Sequence, residues 1–397
     1  MHVTVSGKDG FSIRSTDGDY RLRIRGYIQA DARHFVEDDA NKGVSSFLLR
    51  RVRPIIEGTV AKHIKFRIMP DFAGSQLSLQ DAYIELDYFK AAVLRAGKFK
   101  APFGLERLQS ATALIFPERA FPTGLAPNRD IGIQLGGDIA KGALNYAVGI
   151  FNGVTDGGSA DIDTNEDKEF TGRVFLYPFR LVEIEALNDV GVGFAGSYGD
   201  QKGSNTAPGL SMQRSPGQLT IFRYLAGNTP PEPVVANGTR YRLSPQGYAY
   251  VGPVGVFGEY VYSSQEVVTD FGNPATQQRT FGHHAWQAAA SVVLTGERAS
   301  YQGVNPSNPY GAVELTGRVH QLRIDKDVFP AFANPVASIS KATAWGAGLN
   351  WYINRHLRYS TSYEQTFFKG GEAGVAPVPF SNRENEKVWF NRVQVSF

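Results

Sequence analysis

The chain has 397 residues, 41 Lys and Arg against 38 Asp and Glu, a formal net charge of +3 and no Cys. The missing Cys excludes a disulfide framework and thiolate chemistry, and the small net charge argues against a nucleic-acid partner. No apolar run approaches the roughly eighteen residues of a spanning helix, with Ala288–Leu294 among the longest. That excludes a helical membrane protein but not a transmembrane β-barrel, whose strands alternate and average to near-neutral hydropathy.

Residues 1–15 lack the charged start, apolar stretch and small-residue cleavage site of a signal peptide. An exported protein would therefore be present here as a mature chain with an added Met1, and 1–19 is read as an N-terminal segment. From Tyr20 to Arg33 the sequence alternates with period two. Tyr20, Leu22, Ile24, Ile28 and Ala30 share one face; Arg21, Arg23, Arg25, Tyr27, Gln29, Asp31 and Arg33 share the other. In a soluble sandwich the arginine face would be solvated; in a membrane barrel it would line the lumen.

The pattern recurs. Phe47–Val60 places Arg51, Arg53 and Glu57 on one face. Ile64–Phe72 alternates Ile64, Phe66 and Ile68 with Lys65, Arg67, Met69 and Asp71, and Leu79–Tyr88 sets Asp81, Tyr83, Glu85 and Asp87 against apolar residues. Ala92–Phe99 follows. Further strand-like runs are Ile131–Gly137, Ala143–Phe151, Glu169–Phe179, Val190–Gly199, Gly238–Val251, Val254–Val267, Phe281–Leu294, Ala312–Ile324, Ala342–Tyr352, Leu357–Phe368 and Glu386–Phe397. These make sixteen runs. Short links (Ala61–His63, Asp138–Gly142, Ile353–His356) are expected to alternate with long ones (Asn152–Lys168, Asp200–Asn237, Asp325–Lys341). An even strand number with segregated loop lengths matches an outer-membrane barrel, and a soluble sandwich has no reason for it. Aromatics near strand ends (Tyr88, Phe89, Tyr177, Phe179, Trp351, Tyr352, Phe367, Phe368) suit interfacial girdles. Pro230–Pro233 interrupts a long loop rather than separating domains, so 1–397 is read as one barrel domain.

One link stands apart. Gly97–Arg119, GKFKAPFGLERLQSATALIFPER, breaks at Pro102 and Gly104 and runs on for about twenty residues, a length that is usually functional or disordered. Phe103, Leu105, Leu108, Leu114, Ile115, Phe116 and Phe121 could pack, which speaks against disorder. Lys98, Lys100, Arg107 and Arg119 outnumber Glu106 and Glu118. A surface loop with solvated charges and a loop folded inward to present cations both fit.

Several stretches in order resemble the phosphate-selective porin O and P family: RGYIQADARHF (Arg25–Phe35), LRRVRPIIEGT (Leu49–Thr59), GKFKAPFGLER (Gly97–Arg107), LTGE (Leu294–Glu297) and NWYIN (Asn350–Asn354). The last strand, VWFNRVQVSF, ends on Phe397 and resembles the closing strand of bacterial outer-membrane barrels. The resemblance implies a homotrimeric, sixteen-stranded all-β barrel in the bacterial outer membrane, with its third long loop (100–128) folded into the lumen as a constriction and residues 395–397 ending the closing strand. It also implies an arginine ladder that draws anions inward. Arg50 and Arg51 match paired arginines of the family's second strand, Lys65 a lumen lysine and Arg119 a third-loop arginine. Arg107 stands in place of a phosphate-binding lysine. Gln80 aligns with a binding-site aspartate, and Arg53 and Lys100 align with tyrosines that narrow the passage. These three departures make the site more cationic and widen the expected solutes to pyrophosphate or organic phosphates.

Guanidinium groups suit weak, serial anion sites because they stay charged and bind phosphate oxygens two at a time. The expected constriction is Arg107, Arg53, Lys100, Arg119, Arg51, Lys65 and Gln80. The expected ladder is Arg21, Arg23, Arg25, Arg50, Arg67, Arg240, Arg242, Arg318 and Arg392, of which roughly half should pair with Glu57, Asp81, Glu85, Asp87 or Glu314 on neighbouring strands. Partners expected are inorganic phosphate or other small anions, outer-membrane lipid and lipopolysaccharide. No catalytic constellation, cofactor or metal site is read from the sequence. His283 and His284 are adjacent on a strand, face opposite ways and are read as rim residues. Asp161–Asn165 resembles the start of a calcium loop, but Glu166 stands where glycine is needed, so a solvated acidic loop is expected. The competing readings are a barrel with a blocked lumen, structural or adhesive, and a soluble β-sandwich binding module.

Overall fold

The computed structural model describes residues 2–6, 10–38, 43–163, 165–226, 233–269, 277–373 and 380–397, the side chains of 2–6 and 380 apart. Of Pro230–Pro233, only Pro233 lies within the described residues. Sixteen antiparallel strands follow one another: β1 (Arg21–Phe35), β2 (Ser46–Val60), β3 (Ile64–Asp71), β4 (Ser78–Phe89), β5 (Ala92–Lys100), β6 (Arg129–Ile139), β7 (Leu144–Phe151), β8 (Glu169–Leu176), β9 (Val190–Lys202), β10 (Val235–Val251), β11 (Val254–Thr269), β12 (Gln277–Val293), β13 (Ala312–Arg323), β14 (Ile339–Tyr352), β15 (Leu357–Ala373) and β16 (Glu386–Ser396). Each pairs with the next. β16 returns to β1, from Val388 opposite Phe35 to Ser396 opposite Tyr27, and closes the sheet. The final residue completes the seam: Phe397 N–H donates to Gly26 O at 3.0 Å, and Gly26 N–H to Phe397 O at 2.9 Å.

Alternation sets which side is which. Leu22, Ile24 and Ile28 on β1 and Trp389, Val393, Val395 and Phe397 on the closing strand are exposed on the outer wall, while Gln29, Asp31, Arg51, Arg53 and Arg392 are buried inside. A one-residue slip would turn the arginines onto lipid, at about 2–4 kcal/mol each near the midplane. The register is therefore strongly specified.

Two bulges modify that alternation. Gln29 pairs with Arg51 and Ala30 with Leu49, which leaves Arg50 as an extra residue on β2. The bulge lets Arg50 and Arg51, consecutive in sequence, both serve the interior. On β3, Pro70 has no N–H to give, and the ladder slips there. Met69 pairs with Asp81 and Pro70 with Leu79, so Gln80 is the extra residue.

In the N-terminal segment, His2–Ser6 and Gly10–Arg14 form a hairpin, and Gly10–Arg14 pairs with the part of β1 that β16 does not reach, from Phe11 opposite Ile24 to Arg14 opposite Arg21. Two expectations need correction. The segregation of loop lengths fails at residues 294–311, a long link at the short-turn end of the barrel. This link folds inward and buries Ala299 and Val304 against Tyr250, Val293 and Tyr352. His283 is not at the rim: it is buried, accepts from Asp325 N–H at 3.2 Å and shares a 2.8 Å hydrogen bond with the Tyr224 hydroxyl. Only His284 faces outward, beside Tyr260.

Candidate functional site

Residues 101–128, between β5 and β6, run inside the barrel. Phe103, Leu105, Leu114, Phe116 and Leu125 are buried. Gly104 adopts φ +75°, a left-handed turn suited to glycine. The next two backbone N–H groups, of Leu105 and Glu106, then donate to the Glu259 carboxylate at 2.6 and 3.2 Å. The Glu106 carboxylate accepts from Ala120 N–H at 2.8 Å and from Gln287 at 3.2 Å.

The far wall, β10 to β16, fastens this loop through its lumen-facing side chains. Arg392 is clamped by Asp31 at 2.6 Å through two nitrogens and donates to Pro117 O at 2.7 Å. Arg318 is held by Glu364 and donates to Glu118 O at 2.8 Å. Arg358 donates to Thr112 O at 3.1 Å and Leu114 O at 2.5 Å, and Asn350 to Ile115 O at 3.1 Å. His320 accepts from Phe121 N–H at 3.2 Å. A loop of this length has many carbonyls to satisfy away from water, and arginine's five donors meet several at once. Behind it, Leu105, Ile115 and Phe116 pack with Phe175, Phe257 and Ala289.

What remains open is a cavity of about 1010 Å³ between the loop and the β1–β6 wall, closed further by Leu210–Ser215 of the β9–β10 link. Arg25, Arg50, Arg51, Arg53, Arg67, Arg95, Lys100, Arg107, Arg119, Arg129 and Arg214 line it, against Asp81, Glu118 and Asp156. Many of these cations are paired. Arg25 grips Glu57 at 3.1 Å through two nitrogens. Arg53 is bonded to Asp71 at 2.7 Å and to the Tyr27 hydroxyl at 3.0 Å. Arg50 meets Glu118 at 2.5 Å, Arg129 meets Asp81 at 2.8 Å and Arg95 meets Glu85 at 2.6 Å. Burial opposes the Glu118 charge, but Arg50, Arg51 and Arg392 outweigh it and hold this carboxyl well below the ordinary range.

Besides Arg214, which is exposed and donates to Gln218 O at 3.1 Å, four cations differ. Arg51 donates to Gln29 Oε1 at 2.6 Å, Lys100 to Leu108 O and Gln109 O at 3.2 and 2.8 Å, Arg107 to Thr123 O, and Arg119 to Glu106 O and Gln109 O at 3.0 and 2.8 Å. Among the described residues none of the four forms an ion pair with a carboxylate. Their partners are dipoles, so their charge is not cancelled. Burial, with Arg119 and Arg129 alongside, pushes the Arg107 guanidinium down to about 9, still protonated at neutral pH. Its Nε is buried and has no hydrogen-bond partner. Such an orphan donor costs about 1–3 kcal/mol and is available to an incoming acceptor.

The residues expected from sequence thus divide. Arg51, Arg53, Lys100, Arg107 and Arg119 come together in the cavity, as do Arg25, Arg50 and Arg67 of the ladder. Arg23 faces a second cavity at the short-turn end, and Arg21 lines neither. Lys65 also lies outside both, against Asp87, and Gln80 turns to Ser78 at 2.9 Å. The carboxylate at the cavity wall is Asp81, one residue on. Arg240 and Arg242 are fully buried on Glu169 and, for Arg242, Asp156. With Arg318 and Arg392 they are structural rather than free rungs. Arg95, Arg129 and Tyr27 were not anticipated as site residues. Arg95 alternates with Gly97 and Phe99, a signal that the sequence did carry.

The acidic link between β7 and β8 carries its own ion pairs. Asp161 covers Lys98 and Asp163 pairs with Lys168 at 2.8 Å. No group of three potential ligands gathers among the described residues.

The sequence pattern of the family described as "Phosphate-selective porin O and P" matches residues 22–366. Porin O of Pseudomonas aeruginosa is 26% identical over 403 aligned positions, covering 91% of this chain and 86% of that protein. Among solved structures, the outer membrane channel DcaP of Acinetobacter baumannii superposes with a TM-score of 0.60 at 11% identity, over 97% of this chain and 99% of that one. The anion-selective porin from Comamonas acidovorans gives 0.59 at 12% identity, over 95% and 100%. The trimer form of OmpT from Vibrio cholerae gives 0.58 at 11% identity, over 95% and 99%.

Proposed function

The chain belongs to the phosphate-selective porin O and P family, and from that membership we propose an anion-selective outer-membrane porin for phosphate and related polyanions. Loop 101–128 forms its constriction. The observation that carries this reading is the convergence of Arg51, Lys100, Arg107 and Arg119 on one cavity, none of them in an ion pair with a carboxylate among the described residues. In a narrow lumen with low-dielectric walls such a cluster repels cations and concentrates anions. Carbonyl and amide partners fix each side chain while leaving its charge to act on the solute. The paired cations around it supply weaker sites on the way in, as conduction requires. Asp81, between Arg67 and Arg129, offers an acceptor to a solute that still carries a proton, such as hydrogen phosphate.

The pore works as a homotrimer, in keeping with the trimeric form of one structural relative. Its apolar outer wall meets membrane lipid, lipopolysaccharide included. In planar bilayers under a salt gradient the reversal potential reports anion preference, and Arg107→Glu reduces or inverts it. Cation-selective current through the unaltered protein would refute the reading. The absence of narrowing tyrosines at Arg53 and Lys100 favours larger anions. Pyrophosphate should then block chloride current more strongly than phosphate, and equal block would count against that extension.

A further inference from the structure

The cationic cluster explains entry but not release. Beyond it lies the second cavity, also about 1010 Å³, at the short-turn end. Four residues line both cavities: Arg25 and Tyr27 of β1, Thr112 of loop 101–128, and Gln302 of loop 294–311.

Loop 294–311 is held against loop 101–128 at this level. The Tyr301 hydroxyl donates to Leu105 O at 2.6 Å, and Tyr301 O accepts from Gln109 Nε2 at 2.8 Å. The Tyr301 ring stacks on Tyr248 with centroids 5.1 Å apart and planes 15° from parallel. Gln302 N–H is tied to Ser300 Oγ at 3.0 Å. Gly303 follows at φ +95°, and a Cβ there would meet Ala113 at 3.7 Å. The backbone of Gln302 is thus fixed from both sides, while its side chain stands exposed at the junction.

We propose that Arg25, Tyr27, Thr112 and Gln302 form a throat joining the two cavities, and that Gln302 sets both its width and its preference for oxyanions. The proposal rests on the anion-porin reading and deepens it. The throat differs chemically from the cluster above it. Arg25 is held by Glu57, a carboxylate it shares with Arg23 and Arg67. Tyr27 accepts from Arg53 at its hydroxyl oxygen, which leaves its O–H to donate. Thr112 shares its hydroxyl with Ser110 at 2.8 Å, and Gln302 adds amide donors. A solute with several oxygens can trade guanidinium donors for hydroxyl and amide donors one at a time. Its affinity then falls in steps rather than through one large barrier. A halide has no separate oxygens for such an exchange, so the throat favours phosphate-like oxyanions over chloride of similar charge density.

The test uses the full-length porin in planar bilayers. The natural chain has no Cys, so Gln302→Cys carries a single thiol. Labelling it with a bulky methanethiosulfonate, with full modification verified by mass, is expected to lower unitary conductance by about half or more and to weaken phosphate block of chloride current. Fully labelled channels that conduct like unlabelled ones would overturn the throat. Should Gln302→Cys fail to insert, Gln302→Ala serves instead: conductance should rise and the phosphate-to-chloride discrimination fall, and no change in either would overturn the proposal. The reversal potential of the unaltered protein separates the two ideas. Anion preference with no effect at position 302 removes the throat alone, whereas no anion preference removes both.

Discussion

Cations reach the lumen from the β10–β16 wall and from β2, β5 and loop 101–128, and the two sets serve different ends. On β10–β16, the inward arginines Arg240, Arg242, Arg318 and Arg392 each meet a carboxylate and are buried, while Arg358, also buried, meets carbonyls of loop 101–128 and Asn350 Oδ1. Arg318 and Arg392 also reach carbonyls of loop 101–128. Across the cavity, Arg51 is held by a neutral amide, and Lys100, Arg107 and Arg119 by carbonyls. Arg318 and Arg392 thus fasten loop 101–128, Arg240 and Arg242 reach Gly153 O and Val154 O of the β7–β8 link at 3.0 and 2.9 Å, and the second group leaves charge for solutes. Whether a cation's charge is cancelled in this barrel therefore follows from its partner more than from the direction it faces.

The largest expected effect comes from breaking the fastening side. Arg392→Ala leaves Asp31 buried and uncompensated, a loss of about 3–5 kcal/mol. Thermal unfolding in detergent should show it, and Asp31→Ala/Arg392→Ala should recover part of it. An undiminished unfolding temperature for the single variant would remove the distinction between the walls. Arg107→Glu comes next, since it changes the cluster by two unit charges and acts on the reversal potential rather than on stability. Gln29→Glu sharpens the contrast further. It puts on Arg51 the carboxylate partner that Arg392 has in Asp31, a change of one charge, so the reversal potential should move the same way but less.

The smallest effect concerns loop 294–311. Glu297 gathers Thr295, Ser307 and Asn308. Burial opposes its charge, but these hydrogen bonds outweigh it and bring the carboxyl from 4.5 to about 2. A depressed carboxyl stabilises the loop above its unfolded value and loses that contribution as pH falls through the folded one. The protection of 294–311 against hydrogen exchange, taken relative to the intrinsic rate at each pH, should therefore fall from about pH 4.5 towards pH 2, and Glu297→Gln should show the lower protection already at neutral pH. Identical protection in both proteins would detach Glu297 from the loop's order.

Much of this was legible in the sequence. The face assignment of Tyr20–Arg33 and of the closing strand holds residue by residue, and all sixteen runs are strands. Arg107, Arg119, Lys100, Arg51 and Arg53 do meet. Other features were not legible. Strict alternation sends Arg50 outward, and only the bulge opposite Gln29 and Ala30 turns it in. Gln80 is expected at the site from the alignment alone; alternation already puts Asp81 inward, and Gln80 is the extra residue where the ladder slips opposite Pro70 of β3. Residues 294–311 carry LTGE and a run of small and polar residues, and nothing in their composition says that they turn into the lumen.

By itself the sequence determined the number of strands and which side of each meets lipid. Pleating is a local property with period two, and burying a charge in lipid is too costly for the register to slip. Only the tertiary structure decided which cations are free. Arg392 finds Asp31 across the closing seam, and Arg318 finds Glu364 across the intervening β14, pairings that no local pattern encodes. Whether a guanidinium's charge is cancelled or left to the solute depends on those distant partners.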